Sequence, residues 1–274
     1  MGPLVIQTFQ HNRALVFDSG VGGLSVVEEI RKHLPDVSLD YVADDVFRPY
    51  GEKTVEALLE RLPALISTLD IMLQPDVIIV ACNTASTTAL AAMREQVKTP
   101  IIGVVPAIKP AAEMSLTQKI AVLGTPGTVR RRYVDDLIER FASDCHVKLV
   151  GSLELVNLAE RKLSGETIML SDIQNETRRI FSNVDDQDID IVVLACTHFP
   201  LLREEFEKIA GDTVRWIDSG SAIARRVEQV LSDVDRKARE VYPETAFLIG
   251  PDTHEKRAKA FRSFGFEKVV GLMP

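Results

Sequence analysis

The chain has 274 residues, 46% of them hydrophobic and 26% charged, a globular composition with room for a sizeable core in one large domain or two ordinary ones. Its net charge of -8 argues against a nucleic-acid partner, because phosphate recognition needs clustered Lys and Arg. No apolar run approaches the roughly 18 residues of a membrane span, the first dozen residues lack the pattern of a secretory leader, and three cysteines without a C-x-x-C suit neither a disulfide framework nor a zinc finger.

These properties set the expectation of a cytoplasmic protein with no membrane partner and at least one free thiol. Along the chain, ALVF at 14–17 reads as a strand running into the glycine-rich DSGVGG at 18–23. A helix follows, with Leu24, Val27, Ile30 and Leu34 on one face, until Pro35. The stretch 52–72 reads as helix, kinked or split by Pro63. DVIIVAC at 76–82 is a buried-strand pattern, followed by a helix carrying Leu90, Met93 and Val97. IAVLG at 120–124 precedes TPGT and a helix with Val129, Tyr133, Leu137 and Phe141. Cys145 lies before a further strand without a glycine- or hydroxyl-rich turn after it, and reads as structural. DIVVLAC at 190–196 leads into THFP and another helix, and FLIG at 247–250 and KVVGL at 268–272 close the chain as strands. Strands alternating with helices throughout predict an α/β fold with mainly parallel sheets.

The chain also echoes itself. PDVIIVACNT and IDIVVLACTH share an order of Asp, four aliphatics, Ala, Cys and a polar residue, with each Asp six residues before its Cys. ALVFDSGVGG and IAVLGTPGT form a second pair of strand, polar turn and helix start. The reading is two similar lobes related by a pseudo-two-fold axis, with the site in the cleft between them. Ligands of open parallel sheets collect at the carboxyl ends of the strands, where all four polar turns fall.

A strand-end cysteine taken singly is usually a core residue. A matched pair points instead to two opposed thiols, one acting as base and the other as acid, exchanging roles in the reverse direction. Helix N-termini after Cys82 and Cys196 would favour their thiolates. His198, two residues beyond Cys196, can share that thiol's proton, and Asp18 is placed to do the same for Cys82. Ser19, Asn83, Thr84, Thr125, Thr128 and Thr197 line the same rim and suit a small zwitterionic or anionic ligand, although each alone is also a good helix N-cap. The turn DSGVGG falls short of a dinucleotide fingerprint, and no cluster has zinc-ligand spacing.

The residues resemble the glutamate racemases of the aspartate/glutamate racemase superfamily. The likeness runs through FDSGVGGLSV at 17–26, the D-x-x-x-x-P-Y-G element from Asp44 to Gly51, ACNTAS at 81–86, LGTPGT at 123–128, NLAE ending at Glu160, and LACTHFPLL at 194–202. It implies interconversion of L- and D-glutamate without pyridoxal phosphate or metal, supplying D-glutamate to peptidoglycan precursors and so to cell shape. By the same likeness Cys82 takes the α-proton of D-glutamate and Cys196 that of L-glutamate, assisted by Asp18 and His198. Asp44 and Glu160 match acidic residues that support catalysis. Asp18, Ser19, Pro49, Tyr50, Gly51, Asn83, Thr84, Thr125, Thr128, Cys196 and Thr197 match substrate-contacting positions. The implied lobes are 1–105 with 218–274, and 106–217.

Family members are commonly homodimers, and in some bacterial members an extended N-terminus accompanies activation by a cell-wall precursor. The residues before Ala14 carry no motif. Three rival readings stand beside this one: a racemase or isomerase for aspartate or a maleate-type diacid, a catalytically silent two-lobed binding protein, and a second, protein-binding role such as gyrase inhibition. The second cysteine with its histidine counts against the binding protein, which needs neither.

Overall fold

The computed structural model of the chain describes residues 8–10, 12–234, 238–240, 243–250 and 255–272. Most of the motif-free N-terminal stretch lies outside the described residues. In chain order the strands are β1 (Thr8–Gln10), β2 (Arg13–Asp18), β3 (Ser38–Ala43), β4 (Val77–Val80), β5 (Ile101–Gly103) and β6 (Lys119–Gly124). They continue with β7 (His146–Gly151), β8 (Ile191–Ala195), β9 (Arg215–Ile217), β10 (Ala238–Glu240), β11 (Thr245–Ile249) and β12 (Lys268–Leu272).

Two parallel sheets carry the molecule. The first has the order β12-β11-β3-β2-β4-β5 and the second β7-β6-β8-β9, while β1 and β10 pair antiparallel by themselves. The four strands β2 to β5 stand in the order second, first, third, fourth, and β6 to β9 repeat that order. The echo read in the sequence is therefore also a topological one. Each cysteine of the pair follows the third strand of its set.

The aliphatic runs are continuous because both faces of each sheet are covered by helices. Along β2, Ala14 and Val16 join one apolar cluster and Leu15 and Phe17 the other; along β8, Val192 and Leu194 separate in the same way from Ile191 and Val193. The helix Gly220–Ser232 packs Ile223, Ala224, Val227 and Leu231 back into the first sheet's core. Among the described residues no helix is long and apolar enough to cross a membrane.

Two expectations need correction. Pro63 does not split its helix, which runs unbroken over Val55–Leu73. Proline removes the bond to the carbonyl four residues back, at Leu59, which lies on the exposed face of the helix where water can donate to that carbonyl in place of the missing N–H; the buried Leu58, Leu62, Ile66 and Leu69 hold the other face. The helix expected to run through Val129, Tyr133, Leu137 and Phe141 is instead two pieces, Pro126–Val129 and Arg132–Phe141. Arg131 adopts an extended conformation, so the short first piece ends as a turn against the cleft.

At the amino end of the first sheet, Arg13 is buried and donates from Nε and Nη2 to Asp40 at 2.5 and 2.6 Å. Asp40 also accepts the Thr245 N–H. Replacing Arg13 with Met should destabilise the protein by about 3–5 kcal/mol, because it strands a buried carboxylate between β3 and β11. Denaturant unfolding measures this; a loss below about 1 kcal/mol would mean the pair carries no more than an exposed one.

Candidate active site

The carboxyl ends of both sheets face a common cavity of about 300 Å³, at the small end of ligand pockets. Asp18, Ser19 and Gly20 enter from the end of β2, Tyr50 and Gly51 from the turn after β3, and Cys82, Asn83 and Thr84 from the end of β4. From the other side come Thr125 and Thr128 after β6, Glu160 on the helix Glu154–Leu163, and Cys196, Thr197 and His198 after β8. Pro49 completes the set, so the sequence-expected residues line one cavity with the exception of Asp44.

Cys82 is the N-cap of the helix Asn83–Gln96 and is 7% exposed. The expected thiolate preference is overturned there: burial pushes the thiol's pKa up, and the nearby Asp18 and Cys196 add to this, outweighing hydrogen bonds from the Ala85 N–H and the Ser19 hydroxyl. Cys196 is followed by a turn and the 3-10 segment Phe199–Leu202, so no α-helix begins at it. Its polar neighbour is His198, whose Nδ1 lies 3.8 Å from the sulfur.

The two cysteines have opposite neighbours. Burial alone would push His198 down, but Cys196 and Glu160 outweigh it and lift its pKa to about 10, leaving an imidazolium at neutral pH. Glu160 Oε1 lies 3.4 Å from His198 Nε2. Burial alone would raise Glu160; His198, Arg257 and Arg48 hold it at about 2. On the Cys82 side the neighbour is Asp18, fully buried, accepting the N–H groups of Ser19 at 2.7 Å and Gly23 at 2.8 Å and the Tyr41 hydroxyl. Burial raises the Asp18 pKa in spite of those bonds and of His198 across the cleft. Asp18 reaches Cys82 through Ser19, whose Oγ is 3.4 Å from the carboxylate and 3.8 Å from the sulfur.

Polar capacity gathers on the remaining wall. Thr84, Thr125 and Thr128 form a triangle of hydroxyls at 3.0–3.1 Å across the two lobes. Both side-chain amide atoms of Asn83 are buried without a hydrogen-bond partner among the described residues. Leaving such a group unpaired costs about 1–3 kcal/mol, which a polar ligand can return. The lobes meet closely: a Cβ on Gly22 would lie 2.3 Å from His198 Nδ1 and 2.8 Å from Thr197 Oγ1, and one on Gly127 would lie 2.5 Å from the Gly51 carbonyl oxygen. Ser25 ties the same region by donating to the Thr197 carbonyl at 2.7 Å.

Asp44 stands one step behind the wall. Its carboxylate accepts the Tyr50 hydroxyl at 2.6 Å and both Nε and Nη2 of Arg61 at 2.7 and 2.6 Å, and it does not line the cavity. Sequence reasoning missed Gly20, Asp45, Arg48, Leu153, Val156 and Asn157, which do line it. The spacing of 153, 156, 157 and 160 is that of one helix face and was available as a signal. Asp45 and Arg48 lie inside the D-x-x-x-x-P-Y-G element but carry no pattern of their own.

The sequence profile of the Asp/Glu/Hydantoin racemase family matches residues 24–227. The chain is 43% identical over 256 residues to a glutamate racemase of Shewanella woodyi, covering 92% of this chain and 95% of the relative. It is 43% identical over 260 residues to a glutamate racemase of Escherichia coli O139:H28, covering 94% and 90%. Among solved structures, Escherichia coli glutamate racemase in complex with L-glutamate and the activator UDP-MurNAc-Ala matches with a TM-score of 0.90 at 41% identity, over 96% of this chain and 98% of that one. Glutamate racemase isoform RacE1 from Bacillus anthracis matches with a TM-score of 0.76 at 28% identity, over 96% and 97%.

Proposed function

Since the chain belongs to the Asp/Glu/hydantoin racemase family, and within it sides with the glutamate racemases, we propose that it interconverts L- and D-glutamate with Cys82 and Cys196 as the two acid/base groups. The observation that carries this reading is the convergence of both thiols on one small cavity, each with a different charged partner.

Starting from L-glutamate, Cys196, beside the His198 imidazolium, acts as the base, and Cys82, buried beside a carboxylate, as the acid. L-Glutamate gives its α-proton to Cys196 on one face while Cys82 protonates the other face, and D-glutamate leaves. The thiol and thiolate have then exchanged places. D-Glutamate runs the same steps backwards, or His198 and the Ser19–Asp18 relay return the protons through solvent. The developing negative charge on the substrate's α-carbon spreads into its carboxylate, where Asn83, Thr84, Thr125, Thr128 and Thr197 supply donors preset by the fold. Ser19, Pro49, Tyr50 and Gly51 complete the substrate wall. Glu160 keeps His198 charged, and Asp44 supports the reaction indirectly by holding Tyr50 against Arg61.

The first lobe comprises 1–105 and 218–274, and the second 106–217; the change of sheet between Gly103 and Lys119 and again after Ile217 supports this division. The family supports a cytoplasmic homodimer that needs neither pyridoxal phosphate nor metal and feeds D-glutamate to peptidoglycan precursors. The relative crystallised with UDP-MurNAc-Ala supports activation of this chain by the same precursor.

Incubation with L- or D-glutamate in heavy water, without added cofactor, tests the reading. Optical activity should fall to zero from either side, with deuterium entering only at the α-carbon, and UDP-MurNAc-Ala should raise the rate. Folded protein giving neither signal with glutamate but both with aspartate would move the substrate, and giving neither with any acidic amino acid would remove the activity. An unchanged rate with UDP-MurNAc-Ala would remove the activation alone.

A further inference from the structure

Glu160 is held from outside the reaction cavity. Its Oε2 accepts Arg48 Nη1 at 2.8 Å and Arg257 Nη2 at 3.0 Å. The same two guanidiniums also converge on one oxygen of Asp45, Arg48 through Nε at 2.7 Å and Arg257 through Nη1. Two carboxylates and two guanidiniums thus close a four-membered ring of charge, drawn from the turn after β3, the helix Glu154–Leu163 and the late helix Glu255–Ser263. Arg48, Asp45 and Glu160 border the reaction cavity, whereas Arg257 does not; it lines an adjoining pocket of about 240 Å³ that shares Arg48 and Glu160 with the cavity.

The ring fixes which oxygen is available. With both guanidiniums on Oε2, Oε1 is left facing His198 Nε2. A carboxylate held by Arg48 alone, whose side chain is 38% exposed, can pivot about that one contact. Arg257, 12% exposed, supplies the second point. We propose that Arg257 is a positioning residue for the racemisation: it locks the Glu160 carboxylate so that His198 keeps its orientation toward Cys196. The effect passes from the tail of the chain, through one acidic side chain of the other lobe, to a thiol that Arg257 never touches. This rests on the two-thiol reading above and adds a member to it.

The test is a double-mutant cycle on the full-length protein, with Arg257→Met, Glu160→Gln and the pair, assayed with both enantiomers alongside the wild type. Arg257→Met should lower kcat about tenfold while leaving KM within about twofold, since the residue reaches no substrate but its loss misaligns a proton-transfer group. On the Glu160→Gln background the same substitution should have far less effect, because the amide loses the ion pairs through which Arg257 holds that side chain toward His198. Arg257→Lys, which keeps the charge but cannot bridge Asp45 and Glu160 together, should fall between, and it carries the same cycle if Arg257→Met does not fold.

An unchanged kcat in Arg257→Met, a loss that is additive with Glu160→Gln, or a loss confined to KM would each overturn the proposal. Absence of racemisation in the wild type would instead remove the reading on which it rests.

Discussion

Cys82→Ala and Cys196→Ala should each lower the racemisation rate roughly 10²–10⁴-fold, the contribution of one positioned acid or base, while Cys145→Ala should leave it intact. Cys145 is a free, half-buried cysteine packed with the apolar cluster around β6 and β8, outside the cavity. The single variants should also behave differently from each other in heavy water. With Cys82 gone, Cys196 can still take the proton of L-glutamate and return a deuteron to the same face, giving exchange without inversion; with Cys196 gone, D-glutamate should show the corresponding exchange. Polarimetry and proton NMR on each variant read both outcomes. Near-normal racemisation by either alanine variant would end the two-thiol mechanism, and exchange into the opposite enantiomers would reverse the assignment of faces.

Gly22→Ala should be nearly as damaging although it adds one methyl and removes no functional group. The new Cβ would sit 2.3 Å from His198 Nδ1 and 2.6 Å from Cε1, so the imidazole or the whole Thr197–His198 turn must give way. That turn is pinned by the Ser25 hydroxyl on one side and by Glu160 on the other. A displacement of about 1 Å in a proton-transfer group costs up to about 10²-fold, and kcat/KM should fall by that order. Gly165→Ala makes the control: its φ of 84° strains an alanine, but nothing lies within 4 Å, so stability should drop by about 1 kcal/mol or more with turnover per folded molecule unchanged. If Gly22→Ala kept activity within about twofold, the contact between the two lobes at His198 would not persist during turnover.

The parts of the site legible from residue pattern alone are those that sit where a strand ends, whereas Pro49, Tyr50, Gly51 and Glu160 entered only through the family resemblance. Cys82, Cys196 and the hydroxyl-bearing turns follow runs of aliphatics whose length and carboxyl-end position need no tertiary information. Asp45, Arg48 and Arg257 were not legible, because long charged side chains from distant segments meet only after both lobes are folded. The protonation of Cys82 was misread for a reason of magnitude. A helix terminus contributes about 0.3–1 kcal/mol, rising to ~2 when partly buried, whereas full burial of a thiol moves its pKa by several units. Position along a helix is visible in a sequence; depth and the sign of the facing charge are not. Pro63 shows the same limit, since whether proline breaks a helix depends on where the orphaned carbonyl points, and here Leu59 points outward.

The repeated strand order of the two sheets brings a constraint from outside the protein. Mirror-image amino acids have identical free energies in water, so the equilibrium between the free forms is fixed at one whatever the protein does. The two halves differ, with a carboxylate behind one sulfur and an imidazole behind the other. That difference cannot favour one enantiomer at equilibrium. Any substitution, however local to one half, must leave kcat/KM the same in both directions, so the inequality between the halves can emerge only as different saturation behaviour toward the two hands of the substrate. An inhibitor or activator that grips one half alone is held to the same equality, and can slow or speed traffic across the mirror without changing where it comes to rest.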